Sequence, residues 1–186
     1  IGQSQETYIV AEGPNGIYLI DQHAAHERVL HDRYRSRTRN QSAETQNMLE
    51  PELLEIEPIH MAVIEAHAEA LKSAGFSIES FGPSTVIIRG VPSELAQQGS
   101  GSVGHALRRL LDAVSEGGTP DAWQERMLKT LACHTAVRAG RRLTDDESRA
   151  LITSLEQSDQ PHTCPHGRPT TIHLSLNQLE KKFKRT

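Results

Sequence analysis

The segment Asp21-Gln22-His23-Ala24-Ala25-His26-Glu27 is the part of the chain richest in groups that can do chemistry. His23 and Glu27 are four residues apart, so on a helix both side chains point from one face, one turn apart. Asp21 lies beside that face. An imidazole and two carboxylates together can bind a divalent cation. Simpler interpretations are also open: Asp21 as a helix N-cap, and His23 with Glu27 as a solvated ion pair.

A second segment, Cys164-Pro165-His166-Gly167-Arg168-Pro169, holds a thiol and an imidazole two residues apart. Both groups can reach one metal ion, and the prolines and glycine favour a rigid irregular loop. The alternative is a rigid turn with incidental polar residues. A cysteine-dependent enzyme using Cys164 and His166 is less consistent with the sequence, because no residue close in the chain is placed to orient the imidazole.

The third segment surrounds Cys133. Helical spacing places this cysteine on the apolar side with Leu128, Ala132 and Ala136, which favours a buried structural role. It becomes a metal ligand if the fold brings it to the first two segments. Together the three segments offer sulfur, nitrogen and oxygen ligands for two ions. Their spacing is not the paired CxxC spacing of a zinc finger.

The elements that must position these side chains follow from the hydrophobic pattern. Residues 6–12 and 16–21 alternate as two strands around a Gly-Pro-Asn-Gly turn, and a helix is predicted from about 22 to 37. Asp21 should therefore fall at a strand-to-helix junction. Further helices are predicted at 58–74, 103–116, 121–139, 144–156 and 175–184, and strands at 48–56, 76–81, 85–91 and 170–174. A Gly/Ser/Gln connector is expected at 97–102 and a loop at 157–169. The predicted class is α+β, mixed α/β.

Composition narrows the function classes. The 186 residues carry 20 Lys and Arg against 24 Asp and Glu, a net charge of −4, so global charge does not indicate a DNA binder. The dense basic run at 181–185 is either a local contact with DNA or a solvated helix end.

Two cysteines indicate a reducing compartment, and we expect a cytoplasmic protein. No apolar run of about 18 residues is present, so no membrane partner is expected. The first ten residues lack a signal-peptide layout and read as a domain of a longer chain.

Four motifs, in order, give a family resemblance. Residues 21–27 with Asp32 resemble the DQHA-x2-E-x4-E signature of nuclease-active MutL proteins of DNA mismatch repair, except that Asp32 stands where the signature ends in Glu. Residues 132–138 resemble that family's A-C-x-x-A-V-[KR] segment, 164–169 read CPHGRP as in the family, and 183–185 resemble its closing F-x-R. The motifs span almost the whole chain.

The resemblance implies a metal-dependent endonuclease that nicks duplex DNA, with Mn²⁺ for cleavage and Zn²⁺ as a regulatory or structural ion. By motif position the metal ligands would be His23, Glu27, Cys133, Cys164 and His166. The catalytic residues would be Asp21, Glu27 and Arg168, the last of which either contacts a phosphate oxygen or braces its loop.

The resemblance also implies an architecture and partners. A dimerisation and endonuclease subdomain is expected at 1–46 plus 126–186, with an outer regulatory subdomain inserted at 47–125. The protein would form a homodimer and would work with a mismatch-recognition protein and an ATP-binding domain upstream. The hairpin at 6–21, with Tyr8, Val10, Tyr18 and Ile20, is a candidate dimer edge. The alternative function is a non-catalytic dimerisation module with a structural zinc site, which would not need Asp21.

One segment resembles a partner-binding peptide. Gln46, Met48, Leu49 and Pro51 match the Q-x-[LM]-[IL]-x-P peptide by which some bacterial members bind the replication sliding clamp. Met48 and Leu49 would be the apolar anchors in a groove. The alternative is an ordinary strand start whose Met and Leu enter the core.

Overall fold

The computed structural model describes residues 2–40, 44–97, 103–115, 119–137 and 140–185, and this part of the chain contains eight helices and seven strands. The strands are β1 Gly2–Ser4, β2 Tyr8–Gly13, β3 Gly16–Asp21, β4 Thr45–Glu55, β5 Ser77–Ser80, β6 Thr85–Pro92 and β7 Thr171–Ser175. The helices are α1 Gln22–Arg39, α2 Pro58–Ala66, α3 Ala68–Ser73, α4 Ser93–Gln97, α5 Val103–Val114, α6 Pro120–Thr135, α7 Asp145–Glu156 and α8 Leu176–Lys182. The predicted mixed α and β class is confirmed.

The chain forms two compact units. Unit 1 comprises Ile1–Asp32 with Ala136–Thr186, and unit 2 comprises Arg33–Thr135. Unit 1 contains an antiparallel sheet of order β1-β2-β3-β7. The predicted hairpin is its centre, and β1 is an edge strand that the hydrophobic pattern did not indicate. At Gly16, with φ of +140°, a side chain would collide with the backbone carbonyl of Leu174, so glycine allows β7 to pair with β3.

The two faces of this sheet differ. Ile9 pairs with Ile20, and both side chains are buried against α1 and α7 in a core that also contains Ala25 and Leu151. Each of the two isoleucine side chains contributes roughly 1.5–3 kcal/mol through burial. Because side chains alternate along a strand, the neighbouring register row points to the opposite face.

Helix α7 begins as its sequence predicts. The Thr144 hydroxyl accepts the backbone N–H of Glu147, whose carboxylate accepts the backbone N–H of Thr144. This reciprocal capping box satisfies two backbone donors that a helix start otherwise leaves unpaired.

Unit 2 contains a three-stranded sheet of order β4-β6-β5. The pairing of β4 with β6 shifts between Asn47 and Glu52, so the intervening residues leave the regular ladder. The helix predicted at 58–74 is interrupted at His67, whose backbone φ of −123° is not helical. The His67 ring stacks on Trp123 with centroids 3.8 Å apart.

Several predicted bounds differ from the structure. The stretch predicted as a connector begins later, because Ser93–Gln97 form α4, and 98–102 lie outside the described residues. Helix α6 ends at Thr135 rather than at 139; residues 138–139 and 116–118 also lie outside the described part. Within the described residues, no helix is both long enough and apolar enough to cross a membrane.

Candidate metal centre

Asp21 ends β3, and α1 starts at the next residue, as the sequence predicts. Its Oδ1 atom accepts the backbone N–H groups of His23 at 2.9 Å and Ala24 at 3.0 Å. The N-cap interpretation is therefore correct, and such a cap stabilises a helix by about 1 kcal/mol. Capping occupies one carboxylate oxygen, so the second oxygen, Oδ2, stays available for another role.

His23 is held by a backbone group from a distant part of the chain. Its Nδ1 lies 2.9 Å from the carbonyl oxygen of Val137. A carbonyl oxygen only accepts, so Nδ1 must carry the proton in this bond. The other ring nitrogen, Nε2, lies 3.3 Å from Oε1 of Glu27. A hydrogen bond from one imidazole nitrogen to a backbone carbonyl is the usual way in which proteins orient a metal-binding histidine.

Glu27 is fully buried, and a buried carboxylate requires compensation by cations or hydrogen-bond donors. A guanidinium nitrogen of Arg168 donates to Glu27 Oε2 at 2.7 Å. The Nε2 atom of His166 lies 3.8 Å from Oε1. The first and second motif segments are thus adjacent, although Glu27 and Arg168 are 141 residues apart in sequence.

The second segment is a tight turn. The N–H of Gly167 donates to the carbonyl of Cys164 at 2.9 Å, and the N–H of Cys164 donates to the carbonyl of Arg168 at 2.8 Å. Gly167 has a φ of +83°, which favours glycine. The irregular loop predicted from its composition is present, with Cys164 buried and the His166 side chain 44% exposed.

Arg168 connects two of the predicted ligands. Hydrogen bonds to the Cys164 side chain, first, and to Glu27 raise the pKa of the Arg168 guanidinium. Of the two roles weighed for this arginine, bracing the loop is the one that these contacts support.

The predicted ligands are divided between the two units. His23, Glu27, Cys164 and His166 lie in unit 1, where His23 Nε2 and Glu27 Oε1 are 3.3 Å apart, and Cys133 lies on α6 in unit 2. Cys133 is exposed on α6, and the interpretation of Cys133 as a buried structural cysteine is wrong because that position of the helix faces outward.

Two residues that the sequence interpretation missed position α1. Gln22 is fully buried, and its amide donates to the carbonyls of Glu6 at 2.7 Å and Arg141 at 3.1 Å. His26 accepts the backbone N–H of Val137 on Nδ1 at 2.9 Å. Both residues lie inside the first motif. Their roles could not be predicted, because their hydrogen-bond partners lie far away in the sequence.

Asp32, the departure from the family signature, has a clear structural setting. Its carboxylate accepts from Arg28 at 3.0 Å and from the backbone N–H of Asp159 at 3.1 Å. Arg28 is itself buried and donates to the carbonyl of Thr163 at 2.8 Å, next to Cys164. Asp32, although its side chain is shorter than that of the Glu in the signature, therefore connects α1 to the loop that carries the second segment.

The remaining predicted residues lie elsewhere. Tyr18 and Ile20 belong to the core side of the sheet, so their assignment to a dimer edge is wrong; the alternation of the strand turns them inward. Leu49 lies in the irregular part of β4 and is fully exposed, which excludes its entry into the core. Gln46 and Pro51 are exposed and Met48 is half-buried. The basic residues at 181–185 are exposed.

Fold and site thus define a mixed α/β domain with a candidate centre of imidazole, thiol and carboxylate ligands. The family model for the MutL C terminal dimerisation domain matches residues 1–143. The chain is 39% identical over its whole length to the DNA mismatch repair protein MutL of Clostridium acetobutylicum, covering 30% of that protein. It is 40% identical to proteins of the same name from Paramagnetospirillum magneticum, over 98% of the chain and 30% of that protein, and Methanoculleus marisnigri, over 100% of the chain and 32% of that protein. The chain belongs to the MutL C-terminal dimerisation domain family.

Proposed function

We propose that this domain binds divalent cations and nicks duplex DNA during mismatch repair. The observation that carries the proposal is the arrangement of His23 and Glu27. The Val137 carbonyl holds the proton on Nδ1, so Nε2 faces a buried carboxylate oxygen 3.3 Å away. A nitrogen lone pair and a carboxylate oxygen placed together suit a cation of the zinc or manganese type.

The proposed ligands are those of the family motifs: His23, Glu27, Cys133, Cys164 and His166. Sulfur and nitrogen suit Zn²⁺ as a regulatory or structural ion, and oxygen and nitrogen suit Mn²⁺ for cleavage. When bound, such an ion supplies an activated water and neutralises charge on the phosphate.

The chain's own residues supply the remaining steps. Asp21 is fixed by its cap contacts, and its Oδ2 orients the attacking water or accepts a proton from it. Glu27 and His23 would hold the ion, and so they would set the position at which it polarises the phosphate. Arg168 lies at the rim of the site, half exposed, where it can also meet a phosphate oxygen.

The test is nicking of supercoiled plasmid with Mn²⁺, comparing the wild type with Asp21→Asn. Asparagine keeps an oxygen that can cap α1 but removes the charge, so the variant should keep its melting temperature and lose at least about a hundredfold in rate. Glu12→Gln, which removes one exposed carboxylate from β2 in the same unit, is the matched control and should nick like the wild type. Equal nicking by the wild type and Asp21→Asn would sink the proposal.

The competing function is a dimerisation module with structural zinc. It predicts a large loss of thermal stability on chelation, tight zinc binding and no cleavage with any metal. Asp21 favours the nuclease, because a closed zinc site needs no further carboxylate.

We also propose a homodimer formed through the outer face of the unit 1 sheet. Val10, Leu19 and Ile172 are paired in one row across three strands, on the face opposite to Ile9 and Ile20. Ile172 is 58% exposed. A row of apolar side chains on an uncovered sheet face is typical of a protein interface, and the matched family is described as a dimerisation domain.

A clamp-binding role for residues 46–51 is favoured by their geometry. The ladder between β4 and β6 is irregular there, and Leu49 is fully exposed. An exposed apolar side chain on an irregular stretch of strand suits docking of a short peptide into a groove. The proposed partner is the replication sliding clamp.

Other properties of the longer protein are also proposals. These are the subdomain bounds at 1–46 with 126–186 and at 47–125, cooperation with a mismatch-recognition protein, and work on the bacterial nucleoid in the cytoplasm.

A further inference from the structure

Arg168 binds two atoms that the proposed metal site needs. Its guanidinium donates to Glu27 Oε2 at 2.7 Å, and it also hydrogen-bonds the Cys164 side chain. Glu27 is fully buried and Cys164 is 2% exposed, whereas the Arg168 side chain is 52% exposed. The arginine therefore covers buried ligands from the solvent side and has room to leave.

We propose that Arg168 is a displaceable internal cation that competes with the metal for Glu27 and Cys164. This inference rests on the proposed metal site. A guanidinium and a divalent ion are both positive and favour the same carboxylate oxygen and sulfur, so they exclude each other at close range. Metal entry then requires the arginine to swing toward solvent on the rim of the turn that ends at Gly167.

The contact between Arg168 and Glu27 also stabilises the folded domain when no metal is bound. A buried carboxylate without a partner is costly, and Arg168 compensates Glu27 while the domain folds. The same contact lowers the apparent metal affinity by the fraction of time for which the site is covered; a site open about one-tenth of the time binds about tenfold more weakly.

The experiment measures zinc affinity by competition with a chelating dye, using Arg168→Met, Arg168→Lys and Arg141→Met. Methionine keeps much of the side-chain length without the charge. Arg141, paired with Glu147 at 3.1 Å and likewise more than half exposed, controls for the loss of one positive charge from unit 1. We expect Arg168→Met to bind zinc about tenfold more tightly than Arg141→Met, and Arg168→Lys to stay near the wild type.

An Arg168→Met protein that stays unfolded when zinc is added would overturn the proposal. We expect it to melt lower than the wild type in EDTA and to regain stability with zinc. Equal zinc affinity in Arg168→Met and Arg141→Met, with binding still lost in His23→Ala, overturns this inference and leaves the metal site standing. Zinc binding that is absent in every variant and the wild type overturns both.

Discussion

The Nδ1 atom of His23 lies 2.9 Å from the carbonyl oxygen of Val137, a residue 114 positions away. The N–H of the same Val137 donates to Nδ1 of His26. One peptide segment after α6 is thus held by two histidines on successive turns of α1. The first histidine is a proposed ligand, and the second accepts a backbone hydrogen bond that positions α1.

This pair predicts a separation of stability from metal binding. His26→Ala should lower the free energy of unfolding by about 1–2 kcal/mol, because it leaves a buried backbone N–H without its acceptor. Its zinc affinity should stay within a few-fold of the wild type. His23→Ala should lose zinc binding altogether. Urea unfolding in EDTA, paired with dye competition, measures both quantities; zinc loss in both variants would contradict the assigned roles.

Asp32→Ala should destabilise the domain by about 3 kcal/mol, because the buried Arg28 would lose its carboxylate partner. Asp32→Glu, which restores the residue of the family signature, keeps the charge and should cost less than about 1 kcal/mol. Chemical denaturation checks both values. If glutamate proved as damaging as alanine, the length of the side chain rather than its charge would matter.

Leu19→Lys should convert the domain to a monomer at micromolar concentration, because the substitution places a charge in the middle of the apolar row. Phe81→Lys, at a residue of unit 2 that is 62% exposed, is the control and should leave the dimer intact. Sedimentation velocity distinguishes the species. If the Leu19→Lys variant still formed a dimer, the interface would have to lie on another surface.

Leu49→Ala should weaken binding to an immobilised sliding clamp by at least about tenfold, as expected for an apolar anchor residue. Leu53→Ala removes an equivalent side chain from the same strand, 62% exposed and outside the matching peptide, and should bind like the wild type. Equal loss in the two variants would indicate a general surface effect rather than a peptide motif.

The α7 capping box gives a pH dependence. The backbone hydrogen bond from Thr144 lowers the pKa of Glu147 in the folded chain. A lowered folded pKa means that the unfolded chain binds protons more readily, so this contribution to stability is present above the unfolded pKa and is lost as pH falls through the folded pKa. Urea unfolding should show Glu147→Gln less stable than the wild type at neutral pH, with the difference between the two proteins shrinking as the pH falls through the folded pKa of Glu147. A difference in stability that stayed the same at low pH would show that the lowered pKa of Glu147 is not its cause.

Local patterns predicted most of the framework and the chemical segments. Helix α1, the hairpin before it and the capping box at Thr144 depend on residues a few positions apart, so spacing and propensity indicate them directly. The single helix predicted at 58–74 was wrong, because periodicity does not reveal the non-helical backbone at His67.

The sequence by itself determined which residue types stand at the junction of β3 and α1, and that residues 164–169 form an irregular turn. Only the tertiary structure decided their partners: Arg168 on Glu27, Val137 on His23, Asp32 on the loop before Cys164, and Leu49 in solvent. The physical reason is that such contacts join residues far apart in the chain. They form where packing buries a charge or a backbone group that then requires compensation, and no local pattern encodes that requirement.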